Sequence, residues 1–96
     1  TLPNDFALNQ NYPNPFNPST VISFDLPRAA NVTLEIYNIL GQRVVTLIDN
    51  HHMPAGSHRV EWNDNGRNAG DIASGIYFCR LQAGDNTASK KMMLLK

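Results

Sequence analysis

From Val21 onward, apolar residues fall on every second position. Ile22, Phe24 and Leu26 alternate with Val21, Ser23 and Asp25, and Val32, Leu34 and Ile36 alternate with Thr33, Glu35 and Tyr37. Successive side chains on a strand point to opposite faces, so such a run buries one face and wets the other. No window of helical length keeps an apolar stripe at spacings of three and four, so the core has to be built from sheets. Further segments of the same kind begin at Arg43 (RVVTLI), Ser57 (SHRVEW), Ile76 (IYFCRLQ) and Thr87 (TASKKMMLL), with FALNQ from Phe6 a weaker seventh.

The breaks between these segments carry turn chemistry. Gly41 in NILGQ and Gly84 in AGDN stand where short hairpin loops need a positive φ. MPAG ends a strand ahead of Ser57, and NDNGRNAGD, from Asn63 to Asp71, is a longer loop of turn formers. About seven short strands punctuated in this way predict an all-β fold, an immunoglobulin-like Greek-key β-sandwich of antiparallel strands.

The 96 residues fit one domain, since domains commonly fall near ~100–150 residues. Eight basic and eight acidic side chains cancel without forming a basic stripe, which argues against nucleic acid or an anionic membrane as partner. Cys79 is the only thiol, so no internal disulfide forms. The longest apolar run, Met92 to Leu95, is far short of the ~20 residues that span a bilayer, and TLPNDF lacks the pattern of a signal peptide. That polar, proline-containing start reads like the end of a linker, so the chain is expected to be a piece of a longer protein. The expected organisation is residues 1–10 as linker end and first-strand candidate, followed by a sandwich domain over 11–96.

Ahead of the first clear strand stands NYPNPFNPST, Asn11 to Thr20. Pro13, Pro15 and Pro18 lack a backbone N–H, hold φ near −65° and push the preceding residue toward extended geometry. The segment is therefore expected to stay out of any ladder and to form a stiff, extended strap. Its ordering entropy is largely removed in advance, which favours docking Tyr12 and Phe16 on the end of the sandwich, covering a sheet edge and capping the core.

Catalytic and metal chemistry find little support. His51 and His52 are adjacent in an expected turn, where a solvated role outweighs a metal site, and His58 alternates with Val60 and Trp62 as a partly buried neighbour. Ser74 and Glu61 lack a base and an orienting partner in a concave site, so no enzyme is expected. Asp64, Asn65 and Asp71 offer oxygen atoms for calcium but do not follow the EF-hand order, so turn chemistry is the stronger reading. Trp62, Tyr77, Phe78 and Tyr37 would suit a sugar platform. Tyr77, Cys79 and Leu81 share one strand face, however, and core packing explains them more simply, leaving Phe78 and Tyr37 as the rings to check for exposure. KKMMLLK, Lys90 to Lys96, places four apolar residues between cations. As a final edge strand it would turn Met92 and Leu94 inward, leave Met93 and Leu95 outward, and use its lysines against edge-to-edge aggregation. An outward apolar phase at an edge also suits strand addition by a partner, or self-association through the same edge.

Five segments in order, NYPNPFNPST with VISFDLP, VTLEIYNILGQRV, PAGSHRVEWN, ASGIYFCRLQAG and KKMMLLK, resemble the C-terminal sorting domain (type A) of proteins exported by the type IX secretion system of Bacteroidetes-like bacteria. The immunoglobulin-like domain of flagellar hook-capping proteins shares the IYN..G and G.Y features, whereas the Pro/Asn leader and the lysine-terminated tail favour the sorting domain. The resemblance implies an address rather than a reaction, with no cofactor. The folded domain is recognised by the outer-membrane translocon, the cargo upstream passes via the periplasm to the cell surface or medium, and a sortase-like peptidase removes the domain or the cargo is attached to the surface. By the same resemblance the recognised motifs include Gly56, Gly75 and Tyr77, together with Lys90, Lys91, Met92, Met93, Leu94, Leu95 and Lys96. Cys79 departs from the pattern, standing where an aromatic residue is expected, and the His51–His52 pair is unusual for its loop. A structural or adhesive immunoglobulin-like module and a carbohydrate-binding accessory domain of a secreted enzyme are the alternative functions.

Overall fold

The computed structural model describes residues 5–15, 19–63 and 74–95. Seven strands follow one another: β1 (Ala7–Leu8), β2 (Ser19–Leu26), β3 (Ala30–Asn38), β4 (Arg43–Met53), β5 (Gly56–Asn63), β6 (Gly75–Ala83) and β7 (Asn86–Leu94). They form a three-stranded sheet in the order β1-β2-β5 and a four-stranded sheet in the order β4-β3-β6-β7, with every pairing antiparallel. The expected immunoglobulin-like sandwich is what the chain builds.

The alternation assigns the two faces as expected. Ile22, Phe24 and Leu26 from one sheet meet Val32, Leu34, Ile36, Tyr77, Cys79, Leu81, Met92 and Leu94 from the other in one buried cluster. Each large aliphatic or aromatic side chain fully buried there contributes about 1.5–3 kcal/mol. Trp62 and Tyr77 join the same core, their rings edge to face with centroids 5.8 Å apart. Cys79, where the resemblance led to the expectation of an aromatic residue, is buried between Tyr77 and Leu81 on the inward phase of β6. Burial pushes its thiol up to about 12. The thiol should therefore resist alkylation by iodoacetamide at pH 8 until denaturant unfolds the domain, which mass spectrometry reads directly. In the unfolded chain it ionises near ~8.5, so the stability tied to the neutral thiol is complete below that pH and is lost as pH rises toward the folded value.

The hairpin between β3 and β4 closes on Asn38. Its Oδ1 accepts hydrogen bonds from the backbone N–H groups of Leu40 (2.9 Å) and Gln42 (3.0 Å), and Gly41 supplies the positive φ of 82°. β4 then runs past RVVTLI to Met53, because a bulge absorbs the mismatch. Asn50 adopts φ 48° and gives its N–H to Thr33 Oγ1 at 3.1 Å, where the register shifts between Val32 and Leu34. His51 and His52 consequently lie on a strand rather than in the expected turn, both exposed, with His52 Nδ1 3.0 Å from Asn31 Oδ1. Pro54 and Ala55 carry the chain to the other sheet, and Gly56 takes the positive φ of 136° at that corner. His58 is partly buried as expected, its ring 5.4 Å from that of Phe24 and its Nε2 donating to the Pro54 carbonyl at 2.8 Å.

The strap differs from expectation in two respects. Proline removes only its own N–H, so the residues before it remain free to pair. Ala7 and Leu8 lie opposite Asp25 and Phe24, Asn9 donates to the Ser23 carbonyl at 2.9 Å, and Tyr12 exchanges both backbone hydrogen bonds with Val21 at 3.0 and 2.8 Å. The chain thus lies along β2 as far as Tyr12 and bends at 13–15. Tyr12 also fails to dock on the core, with 80% of its surface exposed. Val21 belongs to the outward phase of β2, and a bridged pair shares one face. Phe16 lies outside the described residues.

Candidate recognition site at the tail end of the sandwich

β7 divides the tail between structure and surface. Met92 and Leu94 are buried in the core, while Met93 is 38% and Leu95 51% exposed, and Lys90 and Lys91 point into solvent. Tyr77 lies opposite Met92 and Gly75 opposite Leu94, so these two motif residues lie alongside the tail. Tyr77 is itself buried against Trp62 and offers no ring to a partner. Gly56 is not brought into this group. It pairs with Leu26, at the opposite end of the sandwich. Lys96 lies outside the described residues.

The outward phase of β7 continues into neighbouring strands. Met93 faces Ile76 across the ladder, Lys91 faces Phe78, and Phe78 in turn faces Tyr37 on β3. Phe78 is 37% exposed. Tyr37 is half-buried and donates its hydroxyl to Glu35 Oε1 at 2.8 Å, while Arg43 reaches Glu35 Oε2 at 3.2 Å. The Tyr37 hydrogen bond holds the Glu35 carboxyl below its ordinary range against the opposing effect of burial, with Arg43 and Arg80 assisting. At the same end of this sheet the hairpin exposes Ile39 (68%) and Leu40 (78%). Two aliphatic side chains at the tip of a tight turn, where polar residues are usual, thus lie at the same end of the sheet as the exposed Met93 and Leu95, with Phe78 further along the outward face.

The Pro/Asn leader seals the adjoining corner through polar groups that the sequence reading had assigned no role. Asn11 and Thr20 are buried. Asn11 Nδ2 donates to Thr20 Oγ1 (2.9 Å) and to the Pro13 carbonyl (3.1 Å), Thr20 Oγ1 donates to that same carbonyl (2.9 Å), and Gln10 Nε2 donates to Asn11 Oδ1 (2.7 Å). Two further hydrogen bonds cross to the other sheet: Gln10 Nε2 also donates to the Lys91 carbonyl at 2.8 Å, and Asn14 Oδ1 accepts from the Met93 N–H at 3.0 Å. The only sequence signal for this network was the repetition of Asn ahead of Thr20, which reads equally well as turn composition.

No cluster of three metal-ligating side chains occurs among the described residues. Asp64, Asn65 and Asp71 lie outside them. A groove of about 440 Å³ opens at the opposite end between Phe6, Leu26, Ala30, Ala83 and Gly84, with Arg28 and Asp85 as its charged members.

The chain is a small immunoglobulin-like sandwich whose β7 spends one phase on the core and leaves the other, with Met93, on the surface. Over residues 10–95 the chain matches the family model described as the secretion system C-terminal sorting domain, and it belongs to that family. It is a C-terminal secretion signal of the type IX system, which directs a parent cargo, and a sorting signal is not catalytic. Among solved structures it is similar to PorZ of Porphyromonas gingivalis, described as an essential bacterial surface component of the type-IX secretion system. The TM-score is 0.63 at 17% identity over 94% of this chain, a likeness that shows the shared fold. The chain spans 12% of the length of PorZ. A sequence search of curated proteins finds no match.

Proposed function

We propose that the outer-membrane translocon of the type IX system reads this domain at its tail end. Met93, Leu95 and the flanking Lys90, Lys91 and Lys96 make the direct contact, while Gly75, Tyr77, Met92 and Leu94 hold that strand in place. Gly56 acts through the fold, as the corner that lets β5 cross between sheets. The observation that carries this reading is the exposed apolar phase of an otherwise ordered final strand. The cargo lies upstream, travels via the periplasm and ends at the cell surface or in the medium. A sortase-like peptidase then separates cargo from domain ahead of β1, in or before the residues that precede Ala7, because a cut further in would sever residues paired with β2. Residues 1–10 accordingly hold both the end of the linker to the cargo and, from Ala7, the first strand of the sandwich.

The test is secretion of a fluorescent reporter carrying an N-terminal export signal and this domain, with and without Lys90–Lys96, in a host that possesses the type IX machinery. The intact fusion is expected at the surface or in the medium, and the truncated one in the periplasm. Equal export of both would remove the tail from recognition. Mass spectrometry of the mature cargo is expected to place its carboxyl end before β1, and an end inside the sandwich would reject the proposed cut.

A further inference from the structure

We propose that Gln10 and Asn14 form a removable cap on the outer edge of β7, and that this edge, from Thr87 to Leu95, takes an extended strand of the translocation machinery by main-chain pairing. The inference rests on the sorting function and deepens it by naming the mode of contact. β7 is the last strand of the four-stranded sheet. The Lys91 carbonyl and the Met93 N–H are bonded by the leader, so the odd-numbered residues of β7 turn their backbone groups away from β6. Thr87 and Ser89 share that phase, and among the described residues no hydrogen bond beyond the β6 ladder meets their backbone groups.

A carboxamide carries the same donor and acceptor as a peptide unit. Gln10 supplies an N–H to Lys91 and Asn14 supplies a C=O to Met93, which together are the two bonds that one residue of a parallel partner strand would make to this edge. The leader therefore already occupies the edge in the manner of a peptide, at one place only. Its hold on the two sheets is unequal. To β2 it is fastened by the Tyr12–Val21 bridge and the buried Asn11–Thr20 network, whereas its hydrogen bonds to β7 among the described residues are the two exposed amide bonds, beside the approach of β1 to that strand. Turning two side chains frees the Lys91 carbonyl and the Met93 N–H at the loss of one bond of the lock, Gln10 Nε2 to Asn11 Oδ1, while the Tyr12–Val21 bridge and the Asn11–Thr20–Pro13 bonds stay in place. Until then the cap and the lysines at 90 and 91 protect the strand from pairing with other copies. The occupant is an extended segment of a partner, since main-chain groups in strand phase are what the edge offers and the outward Met93 and Leu95 side chains add apolar contact beside it.

Two measurements on the intact fusion test this. Ser89→Pro removes an outward N–H and sets a ring on the edge while leaving the bonds to β6 in place, a position where an edge strand accepts proline. It is expected to melt as a folded domain yet to lose export at least tenfold. In Gln10→Ala/Asn14→Ala the Met93 amide is expected to exchange hydrogen at least tenfold faster than in the unaltered protein, with export retained or raised. Export of Ser89→Pro at the unaltered level would overturn the pairing, as would slow exchange of Met93 or loss of export in the folded double variant. If Ser89→Pro does not fold, Thr87→Pro, of the same phase, replaces it under the same criteria. Failure of the unaltered fusion to leave the periplasm would reject the sorting function itself, whereas its normal export alongside that of the proline variant would reject strand addition alone.

Discussion

Leu94→Ala should destabilise the domain by about 2–5 kcal/mol, whereas Leu95→Ser, one residue further on, should leave the melting temperature nearly unchanged and abolish export. Leu94 is fully buried, so truncating it removes apolar contacts and opens a cavity that the surrounding strands fill only in part. Leu95 keeps half its surface in water, so it has little transfer energy to lose in the folded domain. Met92→Ala and Met93→Ser form a second pair with the same division. Thermal unfolding and reporter export measured on all four variants check the expectation. A fold cost on the outward residues, or normal export after Met93→Ser and Leu95→Ser together, would show that the tail is read by some other surface.

Asn11→Asp should cost about 3–5 kcal/mol, more than Asn11→Ala at about 1–3 kcal/mol. The amide nitrogen of Asn11 serves two acceptors, Thr20 Oγ1 and the Pro13 carbonyl. A carboxylate there would donate to neither, and it would bring a charge into a buried site with two oxygen atoms facing the former amide nitrogen, while Gln10 Nε2 could still donate to the other carboxylate oxygen. Such a carboxyl has its folded pKa raised above the unfolded value, so its neutral form is the one that folding favours. The deficit of the variant should therefore be smallest below the ordinary carboxylate pKa and grow as pH rises through it. Denaturant unfolding of both variants between pH 3 and 7 provides the comparison. Equal and pH-independent losses would mean that Asn11 acts only by filling space.

The unequal standing of these residues in the sequence has a physical origin. Leu94 and Leu95 are distinguished by strand phase, a local property that the pattern beginning at Thr87 already displays. Asn11 is distinguished by partners at Thr20 and Pro13 across a bend, and no periodicity announces such a contact. The same contrast explains the strap. Its prolines predicted a stiff, extended segment, whereas the chain bends at 13–15, and whether Tyr12 turned inward depended on its bridge to Val21, which set its ring on the outward face. It also explains β4, whose extension through His51 and His52 depends on a bulge at Asn50 closed by Thr33 from the neighbouring strand.

Strand phases, hairpin glycines, a single core and the family motifs follow from the order of residues, because each rests on spacing within about ten residues of chain. The joining of the leader to the final strand does not. Gln10 and Lys91, or Asn14 and Met93, meet only because β1 and β7 lie at neighbouring edges of opposed sheets. That juxtaposition belongs to the packing of the two sheets, and it places a polar, asparagine-rich segment over the edge of the strand that carries the longest apolar run of the chain.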